Sequence, residues 1–211
     1  MTPPRPLELT PAQQAAAAKV ACGASRAGTI TLLCGPRGVG KSLVLEAVAA
    51  GLARGGRSTA IGRPTAGTDP AGDRSPRADV VLVDDAHLAA GPVLADLLDR
   101  CRCGSAVVLA GQGRLLTLVA RDSRIEEAVT LRAVIRPCTA AESAAIIRRT
   151  ARSARFDDPA TATIHEIAAA IPAAIRRLVE LADVVAESRA GRQITAADVE
   201  AIHRRLSPLA A

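Results

Sequence analysis

Gly35, Pro36, Arg37, Gly38, Val39, Gly40, Lys41 and Ser42 have the spacing G-x-x-x-x-G-K-[ST] of a phosphate-binding loop, and no other stretch constrains the fold as tightly. Such a loop works only where a buried strand runs into it and a helix runs out of it. Both conditions are met: residues 29–34 are apolar and β-branched, and residues 43–52 have helical composition and spacing. The glycines let the backbone curl so that successive N–H groups point at one phosphate, and the new helix adds its positive end. Lys41 then reaches the β- and γ-phosphates, and the Ser42 hydroxyl ligates Mg²⁺. The chain has only two lysines, Lys19 and Lys41, so a lysine at this position is hard to ascribe to chance. These residues point to a nucleoside triphosphate.

The rest of the chain supplies the sheet such a loop needs. Thr10, Pro11 and Gln13 form a helix start, with Thr10 as N-cap, proline at the first helical position and Gln13 at the capping-box position. A lead helix is expected to about Ala24. Strand signals follow at 29–34, 58–62, 79–84, 105–110 and 128–133, and helical stretches separate most of them, the alternation of a parallel α/β sheet. Residues 63–78 are rich in Gly, Pro, Asp and Arg and read as a loop. After Pro137 the strand signals stop. Thr139 with Glu142 makes a capping box, Pro172 opens a long helix, Thr195 caps the last one, and a shorter helical segment around 160–170 joins them. The expected division is an α/β nucleotide-binding domain at 1–138 and a helical subdomain at 139–211.

Two strand ends carry the polar residues of a site. Residues 80–83 are apolar and run into Asp84 and Asp85. A carboxylate at the carboxyl end of a buried strand faces the crevice where ligands of open α/β sheets sit. Asp84 is the expected Mg²⁺ partner, through water. Asp85 stands where a carboxylate orients an attacking water, or else caps the segment beginning at Ala86. Gln112, after the strand at 105–110, is placed to sense a γ-phosphate or to cap the helix of residues 113–120. His87 is either a structural hydrogen-bonding residue or a support for these groups.

Composition narrows the partners. The 211 residues are 49% hydrophobic, ample for a core, yet Phe156 is the one residue of the Phe, Tyr and Trp types, which argues against recognition of single strands by base stacking. The net charge of +6 equals the surplus of basic residues within 1–78, so a phosphate-binding face and an ordinary solvated surface are both compatible with it. DNA stays open as a partner. Cys22, Cys34, Cys101, Cys103 and Cys138 lack paired metal-ligand spacing. No stretch reaches the roughly 18 uninterrupted apolar residues of a membrane span, and no leader pattern opens the chain, so a cytoplasmic protein without membrane insertion is expected.

The segments GPRGVGKS, VVLVDDAHL, VVLAGQGRLL, VTLRAVIRPCTAAESAAIIRRT and IPAAIRRL, in this order over about residues 8–206, resemble AAA+ P-loop ATPases of the general secretion pathway type. Relatives that regulate DNA transposition share much of the pattern. The resemblance implies ATP with Mg²⁺, a five-stranded parallel sheet in order 5-1-4-3-2, a C-terminal helical lid, and a homo-oligomer with nucleotide between subunits. It also implies an arginine that enters the neighbour's site. Arg121 and Arg124, with Arg114 nearby, lie where the family places it, and surface arginines are the alternative. The chain departs from the family in two places. Asp85 stands where a glutamate is usual, one methylene shorter, so slow hydrolysis is expected. Pro172 is followed by Ala173 and Ala174 where a lid arginine is usual; Arg176 and Arg177 come one turn later, either reaching the γ-phosphate or lining a solvated face.

Secretion-type relatives often continue into a membrane span, whereas this sequence ends at Ala211. Action through a protein partner, through DNA, or as a nucleotide switch is therefore expected. The leading expectation is an ATPase that couples ATP binding and slow hydrolysis to self-assembly and partner remodelling or recruitment. The alternative is a weakly hydrolysing or non-hydrolysing ATP-dependent switch acting on DNA or on a transposition partner.

Overall fold

The computed structural model describes residues 8–64, 78–188 and 193–206. Most of the loop expected at 63–78 lies outside the described residues. The chain divides into two compact units, Met1–Arg136 and Pro137–Ala211.

In the first unit, α1 (Pro11–Ala24) precedes β1 (Ile30–Cys34), α2 (Lys41–Arg54), β2 (Thr59–Gly62), β3 (Val80–Val83), a 3₁₀ turn at Ala86–Leu88, α3 (Gly91–Arg102), β4 (Ala106–Gly111), α4 (Arg114–Ala120), α5 (Ser123–Ala128) and β5 (Val129–Val134). The five strands form one sheet in the order β2-β3-β4-β1-β5, and every neighbouring pair is parallel. The expected order 5-1-4-3-2 is this order read from the other edge. All residues of β1, β3 and β4 are buried. Helices cover both faces, so these strands read as continuous apolar runs rather than alternating ones.

The period of two survives in where each side chain goes. Val107 and Leu109 join Leu94, Leu97, Leu98, Leu115 and Ile125 in one core, whereas Val108 and Ala110 join Ala16, Val20, Val44, Leu45 and Val48 in the other. Helices α3, α4 and α5 thus close one face of the sheet, and α1 and α2 close the other. The order places β3, β4 and β1 side by side in the middle, so their carboxyl ends share one rim.

The second unit holds α6 (Ala140–Thr150), β6 (Arg155–Phe156), α7 (Asp158–Ile167), α8 (Pro172–Glu187), β7 (Gln193–Ile194) and α9 (Ala196–Leu206). The expectation that strands stop after Pro137 is corrected here: β6 and β7 pair in parallel, Arg155 with Gln193 and Phe156 with Ile194. Two residues per strand are too few to show a period in the sequence. The helices enclose Ile146, Ile147, Ile164, Ile175, Val179 and Val199. No described helix of either unit is long and apolar enough to cross a membrane.

Asp183, on α8, is the polar anchor of this unit. Buried to 7% exposure, it accepts the backbone N–H groups of Arg152, Ser153 and Ala154 at 2.7 to 3.2 Å. Burial alone would raise its pKa, but these donors together hold the carboxyl below its usual range. A carboxylate with a depressed folded pKa stabilises above its unfolded value of roughly 3.9 and loses that contribution as pH falls through the folded value. Asp183→Ala should therefore cost about 2–4 kcal/mol at neutral pH, with three N–H groups left unpaired. Thermal unfolding followed by circular dichroism should also show a weaker loss of stability below about pH 4 than in the parent.

Candidate functional site

Six residues connect β1 to α2, and their backbone is bent in a way that side chains oppose. Gly38 and Gly40 take φ of +80° and +100°. A Cβ on Gly35 would lie 2.9 Å from the Ile135 carbonyl oxygen, and one on Gly40 would collide with the amide of Gln13. Gln13 is itself engaged three ways. Its backbone N–H donates to the Thr10 hydroxyl, its Oε1 accepts the Thr10 N–H at 2.9 Å, and its Nε2 donates to the Val39 carbonyl at 2.8 Å. The capping box that starts α1 therefore also holds the loop, pulling the Val39 carbonyl aside. Local pattern shows the capping box but not this second contact, which spans 26 residues.

Lys41 opens α2 and is buried, with its ammonium donating to the carbonyls of Gly35 and Pro36 at 2.9 Å each. Burial lowers its pKa, opposed by Asp84, Asp85 and Cys34. Asp84 is 5% exposed and joins the loop to the end of β3: its Oδ2 accepts the Ser42 hydroxyl at 2.6 Å, and its Oδ1 accepts the Asp85 N–H at 2.9 Å. Two oxygen donors in contact, beside a curled backbone and the orphan N–H groups of a helix start, fit a phosphate chain with a hard divalent cation.

Asp85 heads the 3₁₀ turn in the left-handed region, at φ +51°, and its side chain makes no cap bond. The turn is entered without its help, which removes the capping alternative, and the carboxylate is about one-third exposed. Gln112 likewise does not cap α4; its Nε2 lies 3.3 Å from Nε2 of His87. If the amide donates, the imidazole proton sits on Nδ1, a buried atom with no hydrogen-bond partner among the described residues. His87 thus ties the end of β3 to the end of β4.

The structure brings Lys41, Ser42, Asp84, Asp85, His87 and Gln112 to the carboxyl ends of β1, β3 and β4. Arg63, at the start of the stretch expected as loop, joins them: its Nη2 lies 3.6 Å from Asp84 and its Nε 3.8 Å from Asp85. Its basic, proline-bearing surroundings give no local signal of this contact. Arg121 ends α4 and is exposed. Arg124 is exposed on α5 and clamped by Asp122, Nε to Oδ1 at 3.0 Å and Nη2 to Oδ2 at 2.7 Å. Arg176 and Arg177 belong to the second unit, on α8; burial lowers the pKa of Arg176, with Arg149 adding to the effect, and Arg177 is exposed.

No protein-family model matches the chain. No curated protein matches it either. Solved structures do. The Thermotoga maritima RuvB Holliday junction branch migration motor matches with a TM-score of 0.68 at 19% identity, over 92% of this chain and 69% of that one. The Aeropyrum pernix Orc1 protein in complex with DNA matches with a TM-score of 0.68 at 15% identity, over 97% and 68%. Hsp104 with ATPγS and FITC casein matches with a TM-score of 0.68 at 17% identity, over 95% of this chain and 43% of that one. These neighbours are AAA+ P-loop ATPases, and the chain shares their fold.

Proposed function

We propose that the chain binds ATP with Mg²⁺ at this rim, hydrolyses it slowly, and couples binding and turnover to self-assembly and to the remodelling or recruitment of a partner. The observation that carries this is the 2.6 Å contact of Ser42 with Asp84, which joins the phosphate-binding loop to the acidic strand end at one point. Residues 35–42 wrap the phosphates, and Lys41 sets its charge against the β- and γ-phosphates. Ser42 and Asp84 would hold the cation, which when bound would neutralise charge on the phosphates. Asp85 orients the attacking water, and Gln112, steadied by His87, senses the γ-phosphate. Arg121 or Arg124 enters the site of a neighbouring subunit, with Arg121 the less encumbered of the two. The catalytic domain is taken as 1–138 and the lid as 139–211.

The general secretion or transposition-regulator type, and a cytoplasmic place of action, belong to the same proposal. Neighbours solved with DNA and with casein make both a nucleic acid and a polypeptide reasonable partners. A second reading, an ATP-dependent switch with little or no turnover, is favoured by one observation: the short Asp85 carboxylate is in an ion pair with Arg63 rather than free. Phosphate release from Mg-ATP, measured from dilute to concentrated protein, tests the two. Specific activity should rise several-fold as subunits assemble. ATP binding with no release at any concentration, with or without DNA, would establish the switch instead.

A further inference from the structure

We propose that Arg63 is a phosphate-contacting arginine supplied by the same chain, resting on the two carboxylates and turning to the terminal phosphate when a divalent cation takes Asp84. The proposal rests on the reading of the rim as a Mg-ATP site and adds a residue to it. Gly62 pairs with Val83, and the Asp84 N–H donates to the Gly62 carbonyl at 2.8 Å, so Arg63 leaves the sheet directly beside the acidic pair. Asp84 Oδ2, which lies 3.6 Å from the Arg63 guanidinium, is the same oxygen that accepts the Ser42 hydroxyl. One carboxylate oxygen thus separates the guanidinium from the loop.

The hold on Arg63 is loose. It splits between two carboxylates at 3.6 and 3.8 Å instead of gripping one with both arms, and its side chain is 66% exposed. The guanidinium itself stays in water, so giving up two distant oxygens costs it little, and the buried Asp84 carboxylate it leaves still accepts from Ser42. A divalent cation held at Ser42 and Asp84 would draw on the charge of the same carboxylate, directly or through water, and its own charge would repel the guanidinium. The anion then within reach is the terminal phosphate, whose oxygens match the planar fork of an arginine. Arg124, by contrast, is gripped by Asp122 through two short bonds and is not released by an event at Asp84.

The test is binding of ATP and of ADP, each with Mg²⁺, by calorimetry to the parent chain and to Arg63→Ala and Arg63→Lys. Arg63→Ala should bind ATP about tenfold more weakly and ADP unchanged, with Arg63→Lys recovering part of the loss because the charge returns without the fork. Turnover of Arg63→Ala should fall about tenfold at every protein concentration, and mixing it with Lys41→Ala should not restore it, because the arginine serves its own chain's site. Equal ATP and ADP affinities in parent and variant, or rescue on mixing, would overturn the proposal while leaving the site intact. A parent chain that binds neither nucleotide would overturn the site as well.

Discussion

Lys41→Ala should weaken ATP binding by about 100-fold or more while leaving the fold in place. The ammonium is the buried side-chain charge of the loop, Arg37 being exposed, and it donates to the carbonyls of Gly35 and Pro36 rather than to a carboxylate. Without it the buried Asp84 still accepts from Ser42 and from the Asp85 N–H, so most of the loss falls on the ligand. Losing one partner of a desolvated, hydrogen-bonded charge pair costs about 2–5 kcal/mol, and about 2.7 kcal/mol already corresponds to two decades of affinity. Burial lowers the lysine pKa, but the nearby acids Asp84 and Asp85 oppose that shift and favour the charged form the phosphates need. Calorimetric titration with ATP, paired with circular dichroism of the variant, measures both halves. Retained affinity in a folded variant would move the nucleotide away from residues 35–42.

Asp85→Asn should lower kcat by about 10²-fold with ATP affinity nearly unchanged, the pattern of a group that matters in the transition state and not in the ground state. The substitution is unusually clean here. Asp85 sits in the left-handed region, which asparagine tolerates, and its side chain caps nothing. Backbone and turn should therefore persist while the capacity to accept a proton from water is lost. Asp85→Glu restores the missing methylene and should raise turnover. Unaltered phosphate release by Asp85→Asn would remove Asp85 from the reaction.

Legibility from sequence was uneven for a physical reason. Residues 35–42 declare themselves because the curl demands glycines at fixed spacing, and β1, β3 and β4 do because burial on both faces leaves them almost wholly apolar, Thr31 excepted. Each strand of the five-stranded sheet lies within a residue of its expected position. What stayed hidden is contact at a distance along the chain. Gln13 was legible as half of a capping box and not as the support of Val39, and Arg63 was lost in a stretch whose composition says only loop. The two-residue pair β6–β7 is too short for any pattern, and nothing local in the sequence marks the left-handed backbone of Asp85. Of the proposed arginines, Arg121 and Arg124 rest on the family resemblance alone, which could not reveal that Asp122 holds the second.

The shared amide of Gln13 has a thermodynamic consequence for the first unit. Its carbonyl oxygen belongs to the first turn of α1 and its nitrogen to the phosphate-binding loop, and the ring of bonds is almost wholly buried. Fraying of the helix start thus strips the loop of its support, and a loop that lets go of the amide leaves a buried donor unsatisfied at the helix start. The two segments, separated by a whole strand in sequence, are one unit of local unfolding with a common opening free energy. A ligand that tightens the loop stiffens the beginning of α1 by the same amount, so the order of the chain near Thr10 becomes a readout of whether the phosphate-binding loop is filled.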